Sequence, residues 1–491
     1  MTYRVRFGGF FLALIILLSP WGLGAAEAPV LDLKQLTTLA LNYSPEVKAS
    51  KSEVRFAEEQ VAEVKGYYYP QLDVVGVGGV VPNAKRPYVD TGGQGGSGPT
   101  KGVIVYPYPS NRLHGVNVFG HLDAFITQPL YTFGKIAYRD RAAQKNVKVK
   151  QAGVDLKKGE IIVRVAEAYY GLVLAEQGKD AVKEARTYLS DTRERITRLL
   201  AINSPNVKES DKYRLAMYEG GVEKFAAQAE EGSKVAYTAL KAQIGYGPGQ
   251  DFKVPQELPN PSAAPGTLDQ QIRTALEMRP EFTQLKEGLA ARQLLVNGAK
   301  AELYPSFFAA VMAALAGAPG REGSRDPYIN DYFNQAGALP VLGVKWHFDF
   351  GILTAKVKQA QAELEQTKQY EKAALMGIPV EVAQAYGKVQ ENYKASVGME
   401  KAYVNARRWL ITSFSNFDMG LGKMEDIFQA FERYGNFRGE YLLALYNYNL
   451  ATSQLDKATG AYRRTLAMAA PAPAKAAAAA PAAAPAPAKA K

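Results

Sequence analysis

Residue types able to do covalent or redox chemistry are scarce in this 491-residue chain, which has no cysteine and three histidines. Without thiols there is no disulfide, no thiolate metal site and no lipidated cysteine. His114, His121 and His347 lie in stretches that read as strands, and none has a second ligand at metal spacing. No Ser/His/Asp arrangement and no paired-carboxylate cleft stands out. Gly76-Val77-Gly78-Gly79 reads as part of a strand rather than as a phosphate loop. No catalytic set, metal or cofactor is expected. The distinctive side chains are aromatic. Tyr67, Tyr68 and Tyr69 precede one strand-like segment, Tyr131 and Phe133 follow a second, Tyr304 precedes a third, and Trp346, Phe348 and Phe350 finish a fourth. Rings with a polar edge gathered at one level are what a membrane–water interface favours.

The segments between these aromatics alternate. Val116, Val118, Leu122, Ala124 and Ile126 point one way, and Asn117, His121, Asp123 and Thr127 the other. Leu342, Val344, Trp346, Phe348 and Phe350 likewise oppose Lys345, His347 and Asp349. An apolar outside and a wet inside would suit a membrane barrel, although a half-buried soluble sheet alternates in the same way. Away from the aromatics, Pro82 to Arg112 and Gly317 to Ala338 are rich in turn residues and read as loops. Four strands cannot close a barrel, because the outermost edges would stay unpaired in lipid. A membrane role therefore requires more than one subunit.

The elements come in two sets. Ser44-Pro45-Glu46 opens a helical segment that ends at Tyr69-Pro70, and Arg279-Pro280-Glu281 opens one that ends at Tyr304-Pro305. Both pairs of prolines are 235 residues apart (280 − 45 and 305 − 70). Phe133-Gly134 and Val165-Ala166-Glu167-Ala168-Tyr169 find counterparts in Phe350-Gly351 and Val382-Ala383-Gln384-Ala385-Tyr386. This order predicts an internal duplication, with one unit over 27–246, a linker over 247–266 and a second unit over 267–468.

Helix signals are strongest late in the chain. Ile427, Tyr434, Tyr441, Tyr448, Leu455 and Tyr462 recur every seventh residue, with Ala430, Phe437, Ala444, Ala451 and Ala458 at the complementary places. That is a coiled-coil seam, and its alanines let a neighbouring helix come close. Leu353, Val357, Ala360 and Leu364 start a similar seam. No proline falls between Lys135 and Asn203, so one helix there would be about 100 Å long. In the second unit Pro379 predicts a kink rather than an end, because the pattern resumes at Tyr386.

The ends of the chain set its route. Arg4 and Arg6, the apolar run Phe10 to Leu18 and the small residues up to Ala26 read as an export signal over 1–26, too short for the roughly 20 residues of a span. Residues 469–491 are Ala/Pro repetition that builds no core and read as a disordered tail. Of the +11 net charge, Arg4, Arg6, Lys475, Lys489 and Lys491 lie in these two segments. The remaining bases alternate with acids along helices, so no nucleic-acid partner is expected.

Pro-Glu helix openings and Tyr-Pro exits, in order and in both copies from about Leu31 to Tyr462, and in the second copy the turn Phe417-Asp418-Met419-Gly420-Leu421-Gly422-Lys423 (the first copy's tip has no Gly-Leu pair), resemble the TolC-like outer membrane efflux protein family. The resemblance implies an α+β membrane protein: a long α-helical coiled-coil barrel plus a transmembrane β-barrel shared by a homotrimer, four strands per chain. It implies a passive outer-membrane conduit reaching into the periplasm, surrounded by outer-membrane lipid and docked on a periplasmic adaptor (membrane fusion protein) and an inner-membrane transporter, for efflux or type I secretion. It places Gly420, Leu421 and Gly422 at a tip that meets the adaptor, together with the first unit's turn around Ile202, Ser204 and Pro205. It matches Asp426 and Gln429 to an aspartate pair that narrows the periplasmic entrance, with glutamine halving the acidic ring. Phe417 stands where that family has a latch tyrosine and Ser210 near its latch acid, so a hydroxyl latch is not expected. On residue chemistry alone, Asp426 is equally a first-turn aspartate favoured by the helix dipole. The competing reading is a soluble periplasmic coiled-coil scaffold or adaptor, which shares the signal and the heptads but leaves the aromatics unexplained.

Overall fold

The computed structural model describes residues 28–84, 89–90, 104–105, 115–262, 266–323 and 331–469. The export signal, His114, most of the first loop and the tail beyond 469 lie outside these residues. The chain runs α1 (Leu33–Tyr43), α2 (Pro45–Gly66), β1 (Gln71–Pro82), β2 (Val89–Asp90), β3 (Ile104–Val105), β4 (Val116–Tyr131), α3 (Lys135–Ala201) and α4 (Glu209–Ile244). It continues with α5 (Leu268–Met278), α6 (Pro280–Ala301), β5 (Ser306–Gly317), β6 (Gln335–Lys345), α7 (Ile352–Asp418), α8 (Met424–Thr459) and α9 (Tyr462–Ala469).

Helix lengths match pairwise between the halves: α1 and α5 have 11 residues, α2 and α6 have 22, α3 and α7 have 67, and α4 and α8 have 36. Local chemistry sets the boundaries. Asp32 with Gln35 and Thr267 with Gln270 form capping boxes that satisfy the first amides of α1 and α5. Pro45 and Pro280 sit at the start of α2 and α6, where no intrahelical amide is needed. α7 runs through Pro379 without ending, so the proline costs one backbone hydrogen bond within a helix held by its neighbours.

The long helices build a column. On the sheet side α3 packs on α2 and α6, and α6 on α7; on the far side α3 packs on α4 and α8, and α8 on α7. Most of the α8 seam is buried as the heptads predict, with Ile427, Ala430, Tyr434, Ala444, Tyr448, Ala451, Leu455 and Ala458 facing the core, while Phe437 and Tyr441 are half-buried. One expectation fails at its end. The seam residue Tyr462 belongs to a separate helix, because Gly460 takes a left-handed conformation (φ 72°) and ends α8. Val165 and Val382, the heads of the repeated Val-Ala motif, are both buried, the first among Leu36, Leu172 and Leu240 and the second beside Ala275 and Ala458. The linker is packed rather than loose. Phe252 and Leu258 join the core beneath α1 and α4, and Leu31 donates its amide to Lys253 O at 2.9 Å.

β1, β4, β5 and β6 form one antiparallel sheet in the order β1-β4-β5-β6, so β1 and β6 are its edges. Two boundaries differ from the sequence reading. β6 ends at Lys345, opposite Ser306 at the start of β5, so Trp346, His347, Phe348 and Phe350 lie beyond the last pair. There Asp349 instead accepts amides from Gly351 (3.0 Å) and Leu353 (2.9 Å) and prepares the start of α7. The second loop is also shorter than expected, because Gly317 and Gln335 to Ala338 belong to the strands. The short β2–β3 pair inside the first loop had no sequence signal. Ala469 closes α9 rather than opening the tail.

Candidate functional site

Cross-strand register decides what the sheet can do. Residues paired directly across strands share a face. Leu72, Ile126, Val311 and Pro340 fall in line, as do Val74, Ala124, Ala313 and Ala338, and Leu122, Leu315 and Ala336. Val80 and Val118 continue this face at one end, and Phe307 and Val344 at the other. It carries no charged side chain, and its large members are open; Leu342 is 81% exposed and Val80 72%. Removing each such side chain from water is worth about 1.5–3 kcal/mol, so the face demands an apolar neighbour.

The opposite face bears Asp73, Asp123, His121, Gln335 and Lys345, as the alternation predicts. It is not uniformly polar, which departs from the expectation of a wholly wet interior. Val75, Val77, Phe125, Met312 and Leu339 share it, and Asp73, Phe125, Met312 and Leu339 stand in one cross-strand row.

The predicted aromatics gather where strands meet helices. Phe133, itself at φ 52° beside Gly134 at φ 88°, turns the chain from β4 into α3. A bulky residue with positive φ is an outlier that surroundings must hold in place. Here its ring stacks on Tyr304 at 5.3 Å and meets Tyr131 edge-on at 4.7 Å. Trp346 packs on Phe348 at 4.5 Å and donates its indole N–H to Leu303 O at 3.1 Å. Tyr67, Tyr68 and Tyr69 are exposed at the exit of α2. The structure thus brings Tyr131, Phe133 and Tyr304 together and leaves the Tyr67–Tyr69 run and the Trp346/Phe348 pair as separate groups.

At the other end of the column are two helical turns. After α3, Ser204 donates its amide to Leu199 O (2.9 Å) and Asn203 takes φ 52°; Ile202 projects into solvent and Pro205 follows on the exposed surface. After α7, Gly420 takes φ 75°, and Leu421 and Gly422 donate to Asn416 O (2.8 and 3.1 Å). Leu421 is 80% exposed at the apex. Asp426 accepts the Lys423 amide at 3.0 Å, capping α8 as Asp211 caps α4 from Lys208 at 2.8 Å. Asp426 and Gln429 are both on the exposed side of α8, Phe417 is buried, and Ser210 is exposed.

Sequence reasoning missed what ties these turns together. The Arg195 guanidinium clamps both oxygens of Asp418, at 3.0 Å each, and lies 5.0 Å over the Phe414 ring. The hydrogen bonds from Arg195 hold the Asp418 carboxyl below its ordinary range. One layer above, Arg438 bridges Glu184 and the Tyr434 hydroxyl, and burial pushes the Tyr434 phenol up. Tyr434 lies one turn from Arg438 on α8, but each carboxylate lies in a different helix from its arginine, and no local pattern announces those two pairs.

No family model matches the sequence, and no curated protein sequence does. Solved structures do match. The outer-membrane channel OprN is 15% identical, with TM-score 0.69 over 87% of this chain and 89% of that one. The chain has the fold of the TolC-like outer-membrane channels. CusC, described in connection with transmembrane channel formation, is 18% identical at TM-score 0.68, covering 87% and 92%. VceC, an outer membrane protein of Vibrio cholerae, is 17% identical at TM-score 0.68, covering 87% and 96%. The likeness spans almost the whole described chain, so in the TolC-like fold the four-stranded sheet and the long helices are parts of one design. At such low identity it speaks for the path of the backbone and assigns no role to any side chain.

Proposed function

We propose that this chain is one subunit of a homotrimeric outer-membrane channel, a passive conduit running from the periplasm to the exterior, and not an enzyme. The observation that carries this reading is the exposed, uncharged and almost wholly apolar face (Gln128 is its polar member) of a four-stranded sheet whose two edge strands pair with no further strand among the described residues. In lipid every backbone amide needs a partner, so the sheet must close with other copies. Membrane barrels need at least about eight strands, which excludes closure by one chain. Three copies, the number the resemblance implies, would give twelve strands continued by the helical column. The soluble-scaffold alternative would leave that face in water.

The aromatic groups suit the periplasmic membrane boundary, since the helices leave from that level. The pairwise equal helices fit two copies of one unit, 27–246 and 267–468. The turns at Ile202–Pro205 and Gly420–Gly422 then form the periplasmic tip that meets an adaptor, which in turn serves an inner-membrane transporter. Three Asp426 carboxylates around the axis would repel one another and favour cations at the entrance. Membrane fractionation and planar-bilayer recording test the proposal. A detergent-dependent oligomer that conducts ions is expected; a water-soluble monomer would end it.

A further inference from the structure

On the face of the sheet opposite the apolar one, the chain beyond β5 folds back over the strands. Asn334 clasps this return: its side chain accepts the Ala318 amide at 3.0 Å and donates to Arg321 O at 3.1 Å. Arg321 lies 4.5 Å over the Phe333 ring and donates to Pro82 O at 3.1 Å. Ala84 donates to Gly320 O (3.1 Å) and Glu322 to Ala84 O (3.0 Å), which stitches the return to the end of β1. Phe333 meets Phe119 edge-on at 5.3 Å. Tyr332 lies flat on the His121 imidazole, with centroids 4.2 Å apart and planes 13° apart.

His121 is 4% exposed although it stands on a sheet face, because Tyr332 covers it. Its Nδ1 is 2.8 Å from Tyr332 O and its Nε2 is 3.0 Å from Asp123 Oδ2. Both neighbours are acceptors, so a neutral ring donates to one of them and only the imidazolium would donate to both. It pairs across the strands with Val77 and Ala316, toward the ends of the strands remote from the helices.

We infer that Tyr332 and Phe333 are size-determining residues of the exit, seated on the inner wall at the outer mouth and held there by His121. The inference rests on the channel reading, because this face is the inner wall only if the apolar face meets lipid. Three copies would bring three such aromatic wedges to one level, so the mouth rather than the barrel wall would limit what leaves.

The test is planar-bilayer recording with neutral polyethylene glycols of graded mass as size probes. Tyr332→Ala/Phe333→Ala removes the wedge. Conductance is expected to rise, and larger polymers are expected to enter from the exterior side. His121→Phe keeps a ring for stacking but donates no hydrogen bond. It should change both readings in the same direction by less, and add nothing when combined with the double substitution. Unchanged conductance and size cut-off in an assembled Tyr332→Ala/Phe333→Ala oligomer would overturn the inference. If that variant does not assemble, unchanged values in His121→Phe do so. Should the unsubstituted oligomer not conduct at all, the channel reading itself falls.

Discussion

Gly460 and Gly420 share a backbone conformation but not surroundings, and alanine at each separates two costs. Gly460 has φ 72° and Gly420 φ 75°, so either alanine carries the left-handed penalty of about 1–2 kcal/mol. An added Cβ at Gly420 meets nothing within 4 Å. At Gly460 it would lie 2.9 Å from the carbonyl carbon and oxygen of Met278 and 3.0 Å from the Arg279 nitrogen, which are backbone atoms. That backbone is held, because Arg463 donates to Met278 O at 2.9 Å and Tyr462 anchors the next turn on Asp155 O at 2.9 Å. Overpacking adds about 1–3 kcal/mol, so Gly460→Ala should cost about 2–5 kcal/mol in all. Thermal melting of helical ellipticity on the detergent-solubilised protein reads the difference. Gly460→Ala should lower the midpoint clearly more than Gly420→Ala. Equal shifts, or the reverse order, would refute the argument that the α8 end is docked tightly on the α5–α6 junction.

Four further outcomes are expected. Asp426→Asn keeps an acceptor for the Lys423 amide but removes the charge, so cation preference in bilayer recordings should fall with little loss of stability; Asp426→Ala should also lose about 1 kcal/mol of cap. An unaltered reversal potential in Asp426→Asn would remove that residue from the entrance. Arg195→Ala should weaken the joint between the two turns by about 0.2–1 kcal/mol, the range for a largely exposed pair. Because Arg195 depresses the Asp418 carboxyl in the folded state, the joint is strongest above the ordinary carboxylate value of about 3.9 and is lost as pH falls through the lower folded value. Acid melting curves should show this extra loss in the parent and not in Arg195→Ala. Glu184→Gln removes the charge facing the half-buried Arg438 and should cost about 1–3 kcal/mol in the same melts. Truncation after Ala469 should leave the oligomer intact on native gels, and its loss would assign the tail a structural part.

Much of the architecture was legible because it is written in short-range patterns. The heptads of α8, the Pro-Glu openings of α2 and α6 and the glycine at 420 each act within a few residues, and the structure follows them closely. Alternation predicted the apolar face of β4 because side-chain direction has period two. The misreadings occur where a local pattern continued past the point at which its partner stopped. Trp346 and Phe348 keep the alternation of β6 but lie beyond its last pair, Ser306 with Lys345. Tyr462 keeps the heptad of α8 but follows a left-handed glycine.

The candidate site divides in the same way. The sequence by itself determined which residues turn, which face is apolar and which aromatics flank the strands, because each of these depends on neighbours along the chain. Only the tertiary structure decided that Arg195 clamps Asp418 across 223 residues, that Arg438 reaches Glu184 across 254, and that the loop carrying Tyr332 covers His121 across 211. Such pairs leave no periodic trace, since their spacing along the chain is set by how long helices and strands bring distant segments side by side.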